Sequence, residues 1–341
     1  MVYEKLIRKI LFSLEPEKIH EITIGILSSV FAPPVIKLFL HPVKSKPVKI
    51  GNLEFRNPLG LAAGMDKNAV ALKSWDALGF GFAETGTVTP LPQEGNQKPR
   101  IFRLPEHNAL INRLGFNNCG ADRFTENLKN CRSKLSEDFI VGVNIGKGRH
   151  TELDDAFQDY KFSFERCYEY ADYFTINVSS PNTEGLRQLQ QKKYLTQILS
   201  EIQKLNSKLD EKYSSQRKDI FLKVSPDITY PELDDILDVS VQTGITGIVA
   251  TNTTVSRSML PEGNYENGGL SGKPLEMISN QIIQYIVQKT EGRLAVIGCG
   301  GIFSYDDAKR KLDLGASLLQ VYTGLVYQGP GIVKEILKGL N

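Results

Sequence analysis

Eight times between residues 58 and 322, a short apolar run gives way to glycine, amide or hydroxyl residues, and a longer stretch with helical spacing of apolar positions follows. The runs are 58–62, 81–85, 140–144, 173–177, 220–224, 247–251, 294–297 and 318–322, and the helical stretches fall near 67–78, 121–135, 155–171, 190–213, 231–243, 275–290, 305–314 and 331–340. Runs without strict polar alternation are what parallel strands covered on both faces produce. Eight strand–helix units therefore predict an α/β fold, a (β/α)8 TIM barrel. A length of 341 residues suits one such barrel with an appendage. A doubly wound open sheet is the alternative that the pattern leaves.

The appendage is the segment ahead of the first run. Leu6, Ile7, Ile10, Leu11 and Leu14 recur at helical spacing until Pro16, and Ile22, Ile26, Leu27, Val30 and Phe31 repeat the pattern until Pro33-Pro34. This predicts a helical arm over 1–45 and a barrel over 46–341. Residues 1–50 carry seven Lys and one Arg against four Glu, so the arm side is basic while the remainder sums to −2. Its uncharged run over 22–36 is too short and too proline-broken to span a bilayer, which takes about 20 residues. The arm is expected either to lie on an anionic lipid surface or to pack on the barrel. The overall formal charge of +2 is no footprint for a broad polyanion, which argues against nucleic acid. Cys119, Cys131, Cys167 and Cys299 show no metal-ligand spacing, and no signal peptide is visible, so no metal and an intracellular location are expected.

Barrels of this kind do their chemistry at the carboxyl ends of the strands. Those ends carry Ala63, Gly64, Met65, Asp66 and Lys67, then Thr87, Asn144 and Lys147, then Asn177, Ser179, Ser180 and Asn182, and finally Lys223, Thr251, Asn252, Thr253, Gly300, Gly301, Tyr322, Thr323 and Gly324. Amides, hydroxyls and lysines without histidine or a carboxylate pair suit a planar, hydrogen-bonding, partly anionic ligand. Gly300-Gly301 and Thr323-Gly324 stand where such barrels commonly hold a phosphate, although tight turns alone would also use these glycines. The string Gly298-Cys299-Gly300-Gly301 lacks the remaining marks of a dinucleotide fingerprint.

Lys67 and Lys223 follow apolar runs, where a lysine needs an anion or a shifted pKa; Lys223 could equally form a Schiff base. Ser180 reads either as a polar turn or as a proton acceptor. No G-x-S-x-G elbow accompanies it, and His20, His41, His107 and His150 all lie off the strand ends.

Ordered motifs then narrow the reading: NPLGLAAGMDK at 57–67, GTVTP at 86–90, KPRIFR at 98–103, INRLGFNN at 111–118, NVSSPNT at 177–183, ATNTT at 250–254, GGLSG at 268–272 and GCGG at 298–301. With these the chain resembles the dihydroorotate dehydrogenases over nearly its whole length, and within them the class 2, quinone-linked branch. The resemblance implies FMN held by Ala63, Gly64, Met65, Asp66, Lys67, Thr87, Asn144, Asn177, Lys223, Thr251, Gly272, Gly301, Tyr322 and Thr323. It implies dihydroorotate or orotate held by Lys67, Asn112, Arg113, Leu114, Gly115, Phe116, Asn177, Asn182, Asn252 and Thr253. Ser180 aligns where class 1 members carry a cysteine base, which implies that it is the catalytic base. The arm would form a quinone tunnel, with His20 and Arg103 at it, on the cytoplasmic face of a bacterial membrane. The expected partners are thus dihydroorotate and orotate, a membrane quinone and a lipid surface, in a monomer. Rival readings are an RNA-directed flavin barrel, a Schiff-base aldolase on Lys223, and a membrane-surface binding protein on a retired barrel.

Overall fold

In the computed structural model, which describes residues 3–40, 43 and 45–341, a hairpin of β1 (Val48–Ile50) and β2 (Leu53–Phe55) precedes the barrel. The barrel strands are β3 (Leu59–Leu61), β4 (Phe82–Val88), β7 (Ile140–Ile145), β8 (Tyr173–Asn177), β9 (Asp219–Lys223), β10 (Gly247–Ala250), β12 (Ala295–Cys299) and β13 (Leu318–Val321). They pair in parallel and close on themselves, β13 against β3. The open-sheet alternative is thereby excluded. Between them run α4 (Leu72–Ala77), α5 (Ala121–Arg132), α6 (Ala156–Cys167), α7 (Lys192–Tyr213), α8 (Tyr230–Gln242), α9 (Glu276–Thr290) and α10 (Tyr305–Asp313). After β13 come α11 (Thr323–Gln328) and α12 (Gly331–Leu340).

Each strand serves two cores, because successive side chains point to opposite faces. Ala83, Val141, Val143, Phe174, Ile176, Leu222 and Ile248 belong to the large core shared with the helices. Phe82, Ile140, Tyr173, Phe221, Val249, Ile297 and Leu318 form a separate cluster inside the barrel, closed from below by Phe55 of the hairpin. Gly60 and Gly142 make room for it: a Cβ at either would stand 2.3 Å from the Phe82 ring or 2.1 Å from the Tyr173 ring. The lower half of the barrel is therefore a packed apolar plug, and any ligand must enter from the other end.

One expected helix is shorter than its pattern. The stretch near 67–78 is helical only over α4, because the buried Asp66 carboxylate accepts from the Val70 and Ala71 amides and the Trp75 indole, which holds the segment before α4 as a turn. The helix near 331–340 is present, but α11 precedes it directly at the strand end. A three-stranded antiparallel sheet of β5 (Ile101–Leu104), β6 (Ala109–Asn112) and β11 (Gly269–Gly272) adds a wall that the apolar runs did not signal.

In the arm, a π-helical turn over Tyr3–Ile7 leads into α1 (Arg8–Phe12), followed by α2 (Pro16–Ser28) and α3 (Ala32–Leu40). His41 lies outside the described residues. Pro33 and Pro34 do not break a helix as the sequence suggested. They occupy the first turn of α3, where the missing N–H is not needed. The α2–α3 pair is bent by 92°, and no single helix among the described residues is long and apolar enough to cross a membrane.

The arm is two-faced. Leu27, Ile24, Ile36 and Leu40 pack on the barrel, whereas Ile22, Ile26, Val30, Phe31, Val35, Leu38 and Phe39 are exposed. Polar latches fix the inner face: Arg100 binds Glu17 at 2.7 Å, Tyr3 donates to the Val326 carbonyl at 2.8 Å, and Ser74 donates to the Leu27 carbonyl at 2.5 Å. Burial works against the Glu17 carboxylate, but Arg100 and Lys98 together outweigh it and lower its pKa.

Candidate active site

Above the plug the strands turn polar within one or two inward positions. Phe82 is followed by Glu84, Tyr173 by Thr175 and Asn177, Phe221 by Lys223, and Leu318 by Gln320. Of these, Asn177, Lys223 and Gln320 floor a cavity of about 1010 Å³, open mouth included, at the carboxyl ends of the strands. Of the residues expected around a flavin, Ala63, Gly64, Lys67, Thr87, Asn177, Lys223, Thr251, Gly272, Gly301, Tyr322 and Thr323 line it. Of those expected at the substrate, Lys67, Asn112, Leu114, Gly115, Phe116, Asn177, Asn182, Asn252 and Thr253 line it, together with Ser180.

Four expected residues sit elsewhere. Asp66 is buried behind the wall as the turn acceptor described above, and Met65 faces the arm. Asn144 lies one step beneath the floor, where it accepts from Thr87 Oγ1 at 2.5 Å and Asn177 Nδ2 at 3.0 Å. Arg113 points out of the cavity: its guanidinium lies over the Phe102 ring at 4.8 Å and binds Glu266 at 2.9 Å. Lys147 also turns away, donating to the Gly148 and Thr151 carbonyls.

Ser271, Leu275, Ile302 and Gln320 also line it, as do Ala62, Cys299 and Val321. The reading of strand ends passed over Gln320 and Glu84 because both lie inside apolar runs; a polar residue in such a run was the available signal.

One end of the cavity is walled by Gly272, Gly300, Gly301, Thr323 and Gly324. A Cβ on Gly301 (φ +75°) would stand 2.4 Å from the Glu276 Cβ, and one on Gly324 would stand 2.0 Å from the Ile302 carbonyl oxygen, so neither position accepts a larger residue. The first amides of α11 have no intrahelical acceptor, and Ser271 Oγ and Thr323 Oγ1 share a hydrogen bond of 2.8 Å beside them. This is a donor-rich corner suited to a phosphate.

Lys67 donates to Asn117 Oδ1 at 2.8 Å. Burial, and then the nearby Arg100 charge, pull its pKa down to about 7. Ser180 is buried, and its Oγ accepts from the Asn182 amide at 3.3 Å. An N–H aimed at a hydroxyl oxygen favours the form that has lost its proton. Asn182 Nδ2 donates in turn to Asn112 Oδ1 at 3.2 Å, which ties the serine loop to β6. Lys223 stands 4.0 Å from Glu84, the geometry of an ion pair rather than of a free amine poised for Schiff-base chemistry.

A second cavity of about 1110 Å³ lies between arm and barrel. Leu11, Ile19, Ile24, Leu27, Ile36 and Leu40 line it from the arm, and Met65, Trp75, Leu78, Leu325 and Val326 from the barrel. Its polar groups include His20, Arg103 and Tyr322. Arg103 lies over the Phe12 ring at 4.6 Å and donates to the Leu14 carbonyl at 2.7 Å, so it is no surface ion pair. Burial, with the Lys67 charge behind it, lowers the His20 pKa to about 4, and burial alone raises that of Tyr322 to about 12. Both side chains are thus neutral at physiological pH. Tyr322 lines both cavities and is the partition between them.

Fold and site define a (β/α)8-barrel enzyme with a polar chamber at its strand ends and an apolar chamber against it. The chain belongs to the dihydroorotate dehydrogenase family, whose family model matches residues 46–341. Proteins named dihydroorotate dehydrogenase (quinone) from Cronobacter sakazakii and Buchnera aphidicola are each 44% identical to it, over 99% and 98% of this chain and 100% and 99% of theirs. The crystal structure of DHODH from Eimeria tenella in complex with ferulenol superposes with a TM-score of 0.86 at 37% identity, covering 97% of this chain and 93% of that one.

Proposed function

We infer that the protein oxidises (S)-dihydroorotate to orotate with FMN as its prosthetic group and a quinone as electron acceptor, in pyrimidine biosynthesis. The observation that carries this reading is the pairing of a polar, phosphate-ready cavity with an apolar one across Tyr322. The polar cavity fits FMN on two grounds. Its glycine-walled corner offers amide and hydroxyl donors to a phosphate. On the floor, the buried Gln320 Oε1 has no hydrogen-bond partner among the described residues, an acceptor available to a ring N–H. FMN bound there would supply the acceptor for the hydride leaving C6 of dihydroorotate and the two-electron donor to the quinone.

The remaining steps belong to the chain itself. Lys67 holds the substrate carboxylate, and the amide side chains of Asn112, Asn177, Asn182 and Asn252 surround a cyclic diamide, a ligand that both donates and accepts hydrogen bonds. Ser180 takes the proton from C5 of dihydroorotate. Serine is a weak base, and the Asn182 amide N–H on its oxygen favours the form that has lost its own proton. Leu114, Gly115 and Phe116 complete the wall over the substrate. Quinone enters the apolar cavity past Arg103, and the exposed apolar face of α2 and α3 rests on the cytoplasmic face of a membrane as a peripheral, monomeric protein.

An anaerobic visible spectrum tests the whole reading. Yellow protein that bleaches on adding dihydroorotate and recovers on adding a ubiquinone analogue is the expected result. Protein that stays colourless after FMN is supplied, or yellow protein unmoved by dihydroorotate, contradicts it.

A further inference from the structure

Glu84 lines neither cavity, yet it holds Gln320 and Lys223, which line the polar one, and Asn144 just beneath them. It lies on the inner face of β4, one inward position above Phe82, and it is fully buried. Its Oε1 accepts from Asn144 Nδ2 at 2.7 Å and stands 4.0 Å from Lys223 Nζ. Its Oε2 accepts from Gln320 Nε2 at 2.7 Å, Thr175 Oγ1 at 3.0 Å and Tyr173 OH at 3.4 Å. All five neighbours are donors, as an ionised carboxylate requires, since it can only accept. Burial, and next the Glu84 charge, push the Tyr173 phenol well above its ordinary value, so this neighbour remains a donor.

The consequence runs outward through the amides. Asn144 has its NH2 turned to Glu84, so its Oδ1 is left to accept from Thr87 and Asn177. Asn177 has therefore turned its own NH2 inward, and its Oδ1 accepts from Asn252 Nδ2 at 3.4 Å. Three successive amides point the same way. Gln320 likewise spends its NH2 on the carboxylate, which leaves its carbonyl as the group facing the ligand. An amide alone has no such preference, because its two ends are nearly equal in size.

We propose that Glu84 is a positioning residue which, through Asn144 and Gln320, sets the donor and acceptor sense of the substrate and flavin pocket and, through Lys223, balances the charge beneath the flavin. The inference rests on the functional reading above. It assigns specificity for a cyclic diamide to a residue that the substrate never touches. Turning the Asn177 and Asn252 amides over would present donors where the ligand needs acceptors, and a buried unmatched pair is costly.

The test uses full-length, FMN-loaded protein. Bleaching of the wild type by dihydroorotate reports on the functional reading; the Glu84 variant reports on the inference, so the two fail separately. Glu84→Gln keeps the shape but puts an NH2 against a donor and leaves Lys223 unbalanced. Orotate, titrated through its perturbation of the flavin spectrum, is expected to bind about ten- to a hundred-fold more weakly. The flavin reduction equilibrium is expected to move at least about tenfold toward the reduced form, a midpoint about 30 mV more positive for a two-electron couple. Wild-type orotate affinity together with a wild-type midpoint overturns the proposal. Should Glu84→Gln fail to fold, Asn144→Ala breaks the first link while keeping both charges. Orotate binding weakened about tenfold then supports the proposal, and unchanged binding overturns it.

Discussion

The two cavities share Tyr322, yet they are built on opposite plans. The polar one is made by strand ends in register: Asn144 faces Thr175, and Asn177 faces Lys223 across neighbouring strands. Its amides hold one another, and a shift of one strand by a residue would turn each inward side chain outward. The apolar one is made by helix faces from two parts of the chain, held by a few latches such as Glu17–Arg100. A polar cavity within a sheet is rigid and selective, whereas an apolar cavity under a docked arm accepts a greasy molecule of variable length. That division fits a two-step reaction whose first partner is small and polar and whose second is dissolved in lipid.

Removing residues 1–45 should break the comparison most severely. Quinone turnover is expected to disappear, while anaerobic bleaching by dihydroorotate stays within about twofold of the full-length rate, because no described residue of the arm lines the polar cavity. Quinone turnover retained by the truncated protein would show that the arm only packs. Ser180→Ala makes the opposite cut: flavin reduction in a stopped-flow trace should slow by about 10²-fold, the scale of a general base, with orotate binding preserved.

A pH titration sharpens the contrast further. Lys67 binds an anion only when protonated, and its pKa of about 7 lies within the working range. Orotate affinity should be flat below about pH 7 and fall toward tenfold per unit above it, a slope that Lys67→Met abolishes. The smallest expected effect is that of Arg103→Leu, a several-fold rise in the quinone KM without a change in dihydroorotate bleaching, from the lost hold on the Leu14 carbonyl.

The contrast also explains what could be read from the chain. The eight barrel strands and most of the polar cavity were legible because a strand end places its last residues by backbone geometry alone. Asn177, Ser180, Lys223 and Thr251 needed only the strand to be recognised. Arg113 was misplaced because its neighbours Asn112 and Leu114 do face the cavity, and alternation along β6 and past its end sends it outward to Glu266. Met65 and Asp66 followed a strand end but entered a turn, whose side-chain directions depend on the Asp66 hydrogen bonds. The apolar cavity was less legible, since nothing local in α2 says which of Ile22 and Ile24 meets the barrel. Glu84 was hidden because its role lies in what it does to other side chains.

The central claim is that each cavity serves one half-reaction. Sequential anaerobic stopped-flow tests it directly, mixing the flavin-loaded protein first with dihydroorotate and then with a ubiquinone analogue. The account predicts that Ser180→Ala slows only the first phase and that loss of residues 1–45 slows only the second. If either change slows both phases alike, the two cavities do not divide the reaction as described.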